Sequence, residues 1–259
     1  MRAKSYKGLL QKYGPFTLLA TVVLAVWELV VRLGAVPEFI LPAPSSIGAA
    51  LLEHRKLLIG VHLLATLQEV LTGFLLSILC GTLLGTGMFM FRPLEKALYP
   101  FLIISQTIPL IALSPIFIMW FGYTLWSKVA VVFLTAFFPV VVSTYDGLRS
   151  SGKGYSDLLL TMGASRWQVL AKTQAPLALP AFFSGLKLSV VYCVIGATIG
   201  EWLGGREGLG YFSRRMAGNL QSAEMFAAVI LLSVMGILLF LAVAWIEVVI
   251  LRRNGSAVL

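Results

Sequence analysis

The residues able to do chemistry here are few, and they do not assemble into a catalytic set. His54, His62, Cys80 and Cys193 are the only residues of their two types. Neither cysteine lies in a C-x-x-C pair and no histidine cluster accompanies them, so no zinc-ligand pattern forms. Both cysteines fall in apolar runs and read as small buried hydrophobes. The glycine-rich stretch GGREGLG, Gly204 to Gly210, lacks the lysine and the preceding strand signal of a phosphate cradle. No G-x-x-x-x-G-K-S/T occurs anywhere in the chain. The sequence is read as non-catalytic, with no cofactor and no metal. Its formal net charge is +9, but no basic stripe with interleaved aromatics supports nucleic-acid binding. The surplus fits Lys and Arg placed at membrane edges.

The most informative polar stretch is DLLLTMGASRWQVLAKTQAPLALP, Asp157 to Pro180. It is too polar and too broken to cross a bilayer. Ser156 is placed to cap a helix starting at Asp157, whose carboxylate suits a helix N-terminus. Leu158, Leu159, Leu160 and Met162 follow, and Gly163 is the natural stop. Ser165 then caps a second helix carrying Trp167, Val169 and Leu170, and Pro176 and Pro180 close the segment. The apolar face of the first helix has two fates. It folds onto the chain's own spans or the lipid headgroups, or it fills a groove on a partner protein. Each such side chain buried contributes about 1.5–3 kcal/mol.

Other polar residues sit within or beside apolar runs. Gln106, Thr107 and Ser114 either bond to backbone and neighbouring helices or line a solute path. Pro109, Pro115 and Pro139 free backbone carbonyls that must face protein or water, as packed kinks or as a pathway wall. Glu201 is placed just past an apolar run, as a solvated carboxylate near Arg206, Arg214 and Arg215 or as a gate or docking contact. Lys187 is expected to snorkel. Glu69 has no explanation at this level.

The elements that position these residues follow from composition. The chain has 259 residues, 59% hydrophobic and 12% charged. Soluble domains carry roughly 45–50% apolar and about 25% charged residues. Six runs approach the ~20 apolar residues that cross the hydrocarbon: Phe16–Leu33, Leu64–Phe89, Phe101–Trp120, Val129–Tyr145, Ala181–Ile199 and Met225–Ile250. The first follows the basic lead Arg2, Lys4, Lys7 and Lys12 but exceeds a signal-peptide core of ~7–15 residues. It is read as a retained span, with Glu28 and Arg32 spaced to pair. With the N-terminus in the cytoplasm, inside segments carry 12 Lys and Arg and outside loops, Lys128 among them, carry 7. Both termini and the Asp157 stretch are then cytoplasmic. Gly81 and Gly85 have the spacing of close helix packing. Trp120, Trp126 and Trp202 suit an outer interfacial belt. One membrane domain, 1–259, accounts for the chain, with a core of about 60–250 and a cytoplasmic loop at 148–180.

Asp157, Gly163 and Pro180 resemble the E-A-A-x-x-x-G…L-P signature of permeases from binding-protein-dependent ABC importers. Asp-Leu-Leu stands where the signature has Glu-Ala-Ala. LPAPSSI, IPLIALSPIFIMWFGYTLWSKV, FFPVVVSTYDGLR and GEWLGGREGLGYF resemble the nitrate/sulfonate/taurine branch, and the WFG and FFP stretches resemble permeases for pyrimidine thiamine precursors. The resemblance implies an all-α, type I (MetI-like) permease fold of about six transmembrane helices in the inner membrane. It implies a coupling helix, with Asp157, Leu158, Leu159, Gly163, Ala164, Ser165, Arg166 and Trp167 docking onto an ATPase subunit. It implies a second permease copy and an extracytoplasmic solute-binding protein. Gln106, Thr107, Pro109, Ser114, Pro115 and Glu201 are the expected path residues. A secondary transporter and a membrane-embedded enzyme are the weaker readings. Charges near the midplane are few, and no nucleophile motif occurs.

Overall fold

The computed structural model describes residues 2–151 and 153–253, with side chains for 14–151 and 154–252. The side chains of Arg2, Lys4, Lys7, Lys12, Lys153 and Arg253, used in the charge count, lie outside those described. The described residues form helices and no strand. In chain order these are α1 (Arg2–Arg32), α2 (Pro44–Glu53), α3 (Arg55–Met90), α4 (Arg92–Ser105), α5 (Leu110–Phe121), α6 (Leu125–Ser150), α7 (Lys153–Thr161), α8 (Arg166–Gly204), α9 (Leu209–Gly218) and α10 (Ser222–Arg253). Five are long and apolar enough to cross a membrane, or six if α4 and α5 together form one crossing.

That pair corrects the third expected span. Phe101–Trp120 is not one helix, because α4 and α5 meet at 101°. Pro109 is the N-cap of α5 with extended backbone, φ −64° and ψ 113°. Its ring excludes the preceding residue from the helical region, so the chain turns at Gln106–Ile108. Pro115 and Pro139 lie inside helices without breaking them.

α6 is the centre of the bundle, packed along its length between α3 and α8. The approach is close because glycines face it from both sides. A Cβ on Gly85 of α3 would lie 2.8 Å from the Val141 carbonyl, and one on Gly185 of α8 would strike Ser143. Gly81 faces Val140 in the same way, so the expected small-residue spacing is a real contact seam. At one end of α6, Tyr145 donates to Glu95 of α4, and Arg149 donates to the Tyr145 hydroxyl at 2.9 Å.

α1 touches the bundle lightly. Trp27 packs on Phe226 with ring centroids 6.2 Å apart, and most of its apolar face is exposed, as lipid contact requires. Glu28 pairs with Arg32 at 2.5 Å, as their spacing predicts, and also accepts from the Ser45 N–H at 3.0 Å at the start of α2. The carboxylate thus satisfies a free donor in the first turn of another helix. Lys187 pairs with Glu247 of α10 at 2.8 Å.

The Gly85 contact gives a test. Gly85→Ala must displace Val141 backbone and is expected to cost about 1–3 kcal/mol. Gly48→Ala, at a helical position open on all sides, should be neutral or slightly stabilising. Thermal melts of the two variants in detergent, against the parent chain, measure the difference.

Candidate functional site

Three features can carry function: a groove along α6 and α8, a buried polar cluster at the α9 end, and the exposed loop at the other end of α6.

The groove encloses about 820 Å³ between α6 and α8, with Gln106 and Leu110 at its edge. Thr135, Pro139, Ser143, Asp146 and Ser150 line it from α6, and Ser184, Leu188 and Tyr192 from α8. Of the six path residues expected from sequence, Gln106 alone reaches this lining. Thr107 returns its hydroxyl to the Ile104 carbonyl at 2.7 Å. Ser114 is buried in packing, and Pro109 and Pro115 are not among the lining residues. The groove residues missed by sequence reading had a signal. Positions 135, 139, 143, 146 and 150 recur at helical spacing on one face of α6.

Glu201 is corrected more sharply. It lies inside α8, fully buried, and faces neither solvent nor groove. The first turn of α9 has free N–H groups, and buried side chains take them. The Gly208 N–H donates to His62 Nδ1 at 3.1 Å and the Leu209 N–H to Thr66 Oγ1 at 2.8 Å. The Gly210 and Tyr211 N–H groups donate to Glu201 Oε2 at 2.5 and 3.3 Å. Thr66 Oγ1 donates in turn to Glu201 Oε1 at 2.6 Å. A negative carboxylate at a helix N-terminus is also favoured by the helix dipole. Gly208, at φ 113°, and Gly210 sit so close that a Cβ on either would collide with this carboxylate. GGREGLG is therefore a cradle, and it holds the chain's own carboxylate. Beside it Glu69 pairs with Lys128 Nζ at 2.7 Å. Lys128, expected in a loop, is buried within α6. His62 is occupied here, and His54 lies against Phe212. Among the described residues no group of three or more His, Cys, Asp or Glu is placed to hold a metal ion.

At the opposite end, α7 starts at Lys153, four residues before the expected start. Ser156 is consequently inside the helix, buried, and accepts from Gln174 Nε2 at 3.1 Å; it is not an N-cap. Asp157 is exposed in the middle of α7. Gly163 adopts φ 87° after the helix, the left-handed geometry that ends it. Ser165 caps α8 in a reciprocal box with Gln168. Pro176 and Pro180 do not end the segment, because α8 runs on through both. The turns at Leu170–Gln174 widen into π geometry just before Pro176, which eases the clash of its ring with the preceding turn. Leu158, Met162 and Trp167 are 57%, 74% and 64% exposed, and Ala164 and Leu159 are half-buried. The apolar face of α7 is therefore not folded onto the spans.

Residues 73–255 match the model of the family described as binding-protein-dependent transport system inner membrane component. The chain belongs to this family. The permease is 45% identical over 235 residues to the formylaminopyrimidine transport permease protein ThiX of Halalkalibacterium halodurans, covering 91% of this chain and 94% of the relative. It is 35% identical over 243 residues to the riboflavin transport system permease protein RibX of Chloroflexus aurantiacus, covering 93% and 90%. It is 30% identical over 243 residues to the putative aliphatic sulfonates transport permease protein SsuC of Bacillus subtilis, covering 92% and 87%. In fold, it resembles a solved structure of the MetNI methionine ABC transporter in an inward-facing conformation, with TM-score 0.67 and 20% identity over 78% of this chain and 98% of that one. The permease is a multi-pass membrane component of an ABC importer with the MetI-like fold.

The polar cluster makes its own prediction. Removing Lys128 leaves the Glu69 carboxylate buried without its cation, a loss of about 3–5 kcal/mol. Lys128→Met should lower the melting temperature in detergent, and Glu69→Gln added to it should restore much of the loss. A double-mutant cycle on the two positions measures the coupling.

Proposed function

We propose that the permease forms the solute path of an ATP-driven importer for a pyrimidine precursor of the kind named for the relative that is 45% identical to it. One observation carries the mechanical part of this reading: a short helix at one end of the bundle, α7, presents leucine and methionine outward. Apolar side chains at the wet end of a membrane protein need a cover, and a groove on a separate protein provides one. The sequence carries no nucleotide-binding lysine loop, and on this reading the ATPase is a separate subunit. On this reading α7 and the start of α8, Asp157 to Trp167, form the coupling helix. Residues 148–180 are the cytoplasmic coupling loop within one permease domain, 1–259, with its transmembrane core at about 60–250. Both termini are cytoplasmic. A second copy of the chain pairs with the first, and a solute-binding protein delivers its ligand at the α9 end. ATP binding moves the coupling helices and opens the path outward; hydrolysis resets it. The chain itself breaks no bond.

The sulfonate-transport relative supports a second cargo, a small sulfonate, taurine or nitrate-type anion. Melting shifts of the cognate solute-binding protein separate the two: a hydroxymethylpyrimidine or formylaminopyrimidine ligand should raise its melting temperature, and taurine or nitrate should not.

The coupling role is tested by co-purification with the ATPase subunit. Gly163→Asp puts a side chain at φ 87° and a charge on the docking face, and should abolish capture. Leu158→Asp and Met162→Asp leave the turn intact and should each lower capture about tenfold or more, one lost anchor being worth about 1.5–3 kcal/mol. Undiminished capture by all three would reject the reading.

A further inference from the structure

The groove between α6 and α8 has a one-sided hydrogen-bonding character, and this bears on what can pass it. Its hydroxyls bond back to carbonyls of the helices that carry them. Thr135 donates to the Val132 carbonyl at 2.7 Å, Ser143 to Val140 at 3.2 Å, Ser150 to Gly147 at 3.2 Å and Ser184 to Pro180 at 3.0 Å. Each oxygen keeps lone pairs toward the groove and offers them as acceptors. Pro139, also in the wall, has no N–H for the Thr135 carbonyl four residues back, which adds another acceptor. Among the described residues Asp146 is the one carboxylic acid in the lining, and it is exposed there. Among the described residues no lysine, arginine or histidine lines the groove. Its free donors are neutral, the Gln106 amide and the Tyr192 hydroxyl. Phe138 and Tyr192 add aromatic surface.

The geometry points to a groove that selects uncharged or cationic heteroaromatic solutes bearing N–H donors and rejects oxyanions. An aminopyrimidine matches the wall. Its exocyclic N–H groups meet hydroxyl oxygens and the Asp146 carboxylate, and its ring meets the aromatic surface. Nitrate and sulfonate oxygens can only accept, and they meet a wall of acceptors with a negative carboxylate in it. A site whose polar groups are left unpaired discriminates strongly. Asp146 is the specificity-determining residue. This inference rests on the reading of the chain as a solute path, and it assigns to the permease a filter separate from that of the binding protein.

The test uses the full chain in membrane vesicles from cells producing the whole transport system. Ser184→Cys, with Ser143→Cys as a second position, is labelled by a trimethylammonium methanethiosulfonate and by its sulfonate counterpart. The parent chain, with Cys80 and Cys193, gives the background, and rates are normalised to those with a free thiol. The cationic reagent should be favoured at least about tenfold, as a cleft of one charge sign focuses its counter-ion. Asp146→Asn should reduce the preference to about threefold or less, and Asp146→Lys should reverse it. Equal rates in the Asp146 background, a preference that survives both substitutions, or no labelling at either cysteine would overturn the inference. ATP-driven uptake of formylaminopyrimidine in the same vesicles addresses the reading beneath it. Uptake without charge selectivity sinks the filter and leaves the cargo. Charge selectivity without uptake sinks that cargo and leaves the filter.

Discussion

Backbone and side-chain polar groups inside a bilayer must find partners within the protein, and Glu201 shows how far this chain goes to meet that rule. Its carboxylate is buried where α8 ends and receives two N–H groups from the first turn of α9 and a hydroxyl from α3. Thr66 and His62 take the remaining two N–H groups of that turn. Each unpaired donor would otherwise cost a few kcal/mol in a dry setting. The result is that α3, α8 and α9 are joined at one end by a polar knot. The glycines of GGREGLG are required there because the carboxylate occupies the space their side chains would fill.

The same rule shapes the groove at the middle of the molecule. Serines and threonines in spans have few outside partners, so they donate back to carbonyls three or four residues earlier. That local economy turns their oxygens outward as acceptors. A solute path built from such helices is acceptor-rich by default, and cations must be added deliberately if anions are to pass. This permease adds a carboxylate instead.

How much of this the sequence discloses depends on the range of each interaction. Five of the six expected spans were legible because apolar length is a local property. Gly163 and the Ser165–Gln168 cap were legible because caps are local as well. Pro109 and Pro115 are the instructive contrast, since the same residue type breaks the chain at one and leaves α5 intact at the other. What differs is the backbone: Pro109 is extended at the start of α5, and Pro115 lies within its turns. Glu69, Lys128 and Glu201 come from three separate helices; Lys128 and Glu201 each looked like a loop charge on its own, and Glu69 had no account. The Thr135–Ser150 stripe was legible in principle by its helical spacing, although proline and glycine among its neighbours disguise it as a motif for packing.

The continuity of α8 ties these parts together. It runs 39 residues without interruption, a rod of about 58 Å at ~1.5 Å per residue. One end begins at the Ser165 cap beside the exposed α7 face. The middle forms one wall of the groove through Ser184 and Tyr192, and the far end carries Glu201. Against α6 the rod is held at glycine contacts such as Gly185 on Ser143 and Gly196 on Thr135, so its displacement must move that wall. Coupling between distant sites needs a rigid element that both sites bias. On the proposed reading, a single helix that starts beside the exposed α7 face, lines the groove and ends in a buried knot is such an element. The π turns at Leu170–Gln174 lie next to the exposed α7 face, at the end of the rod away from the α9 knot.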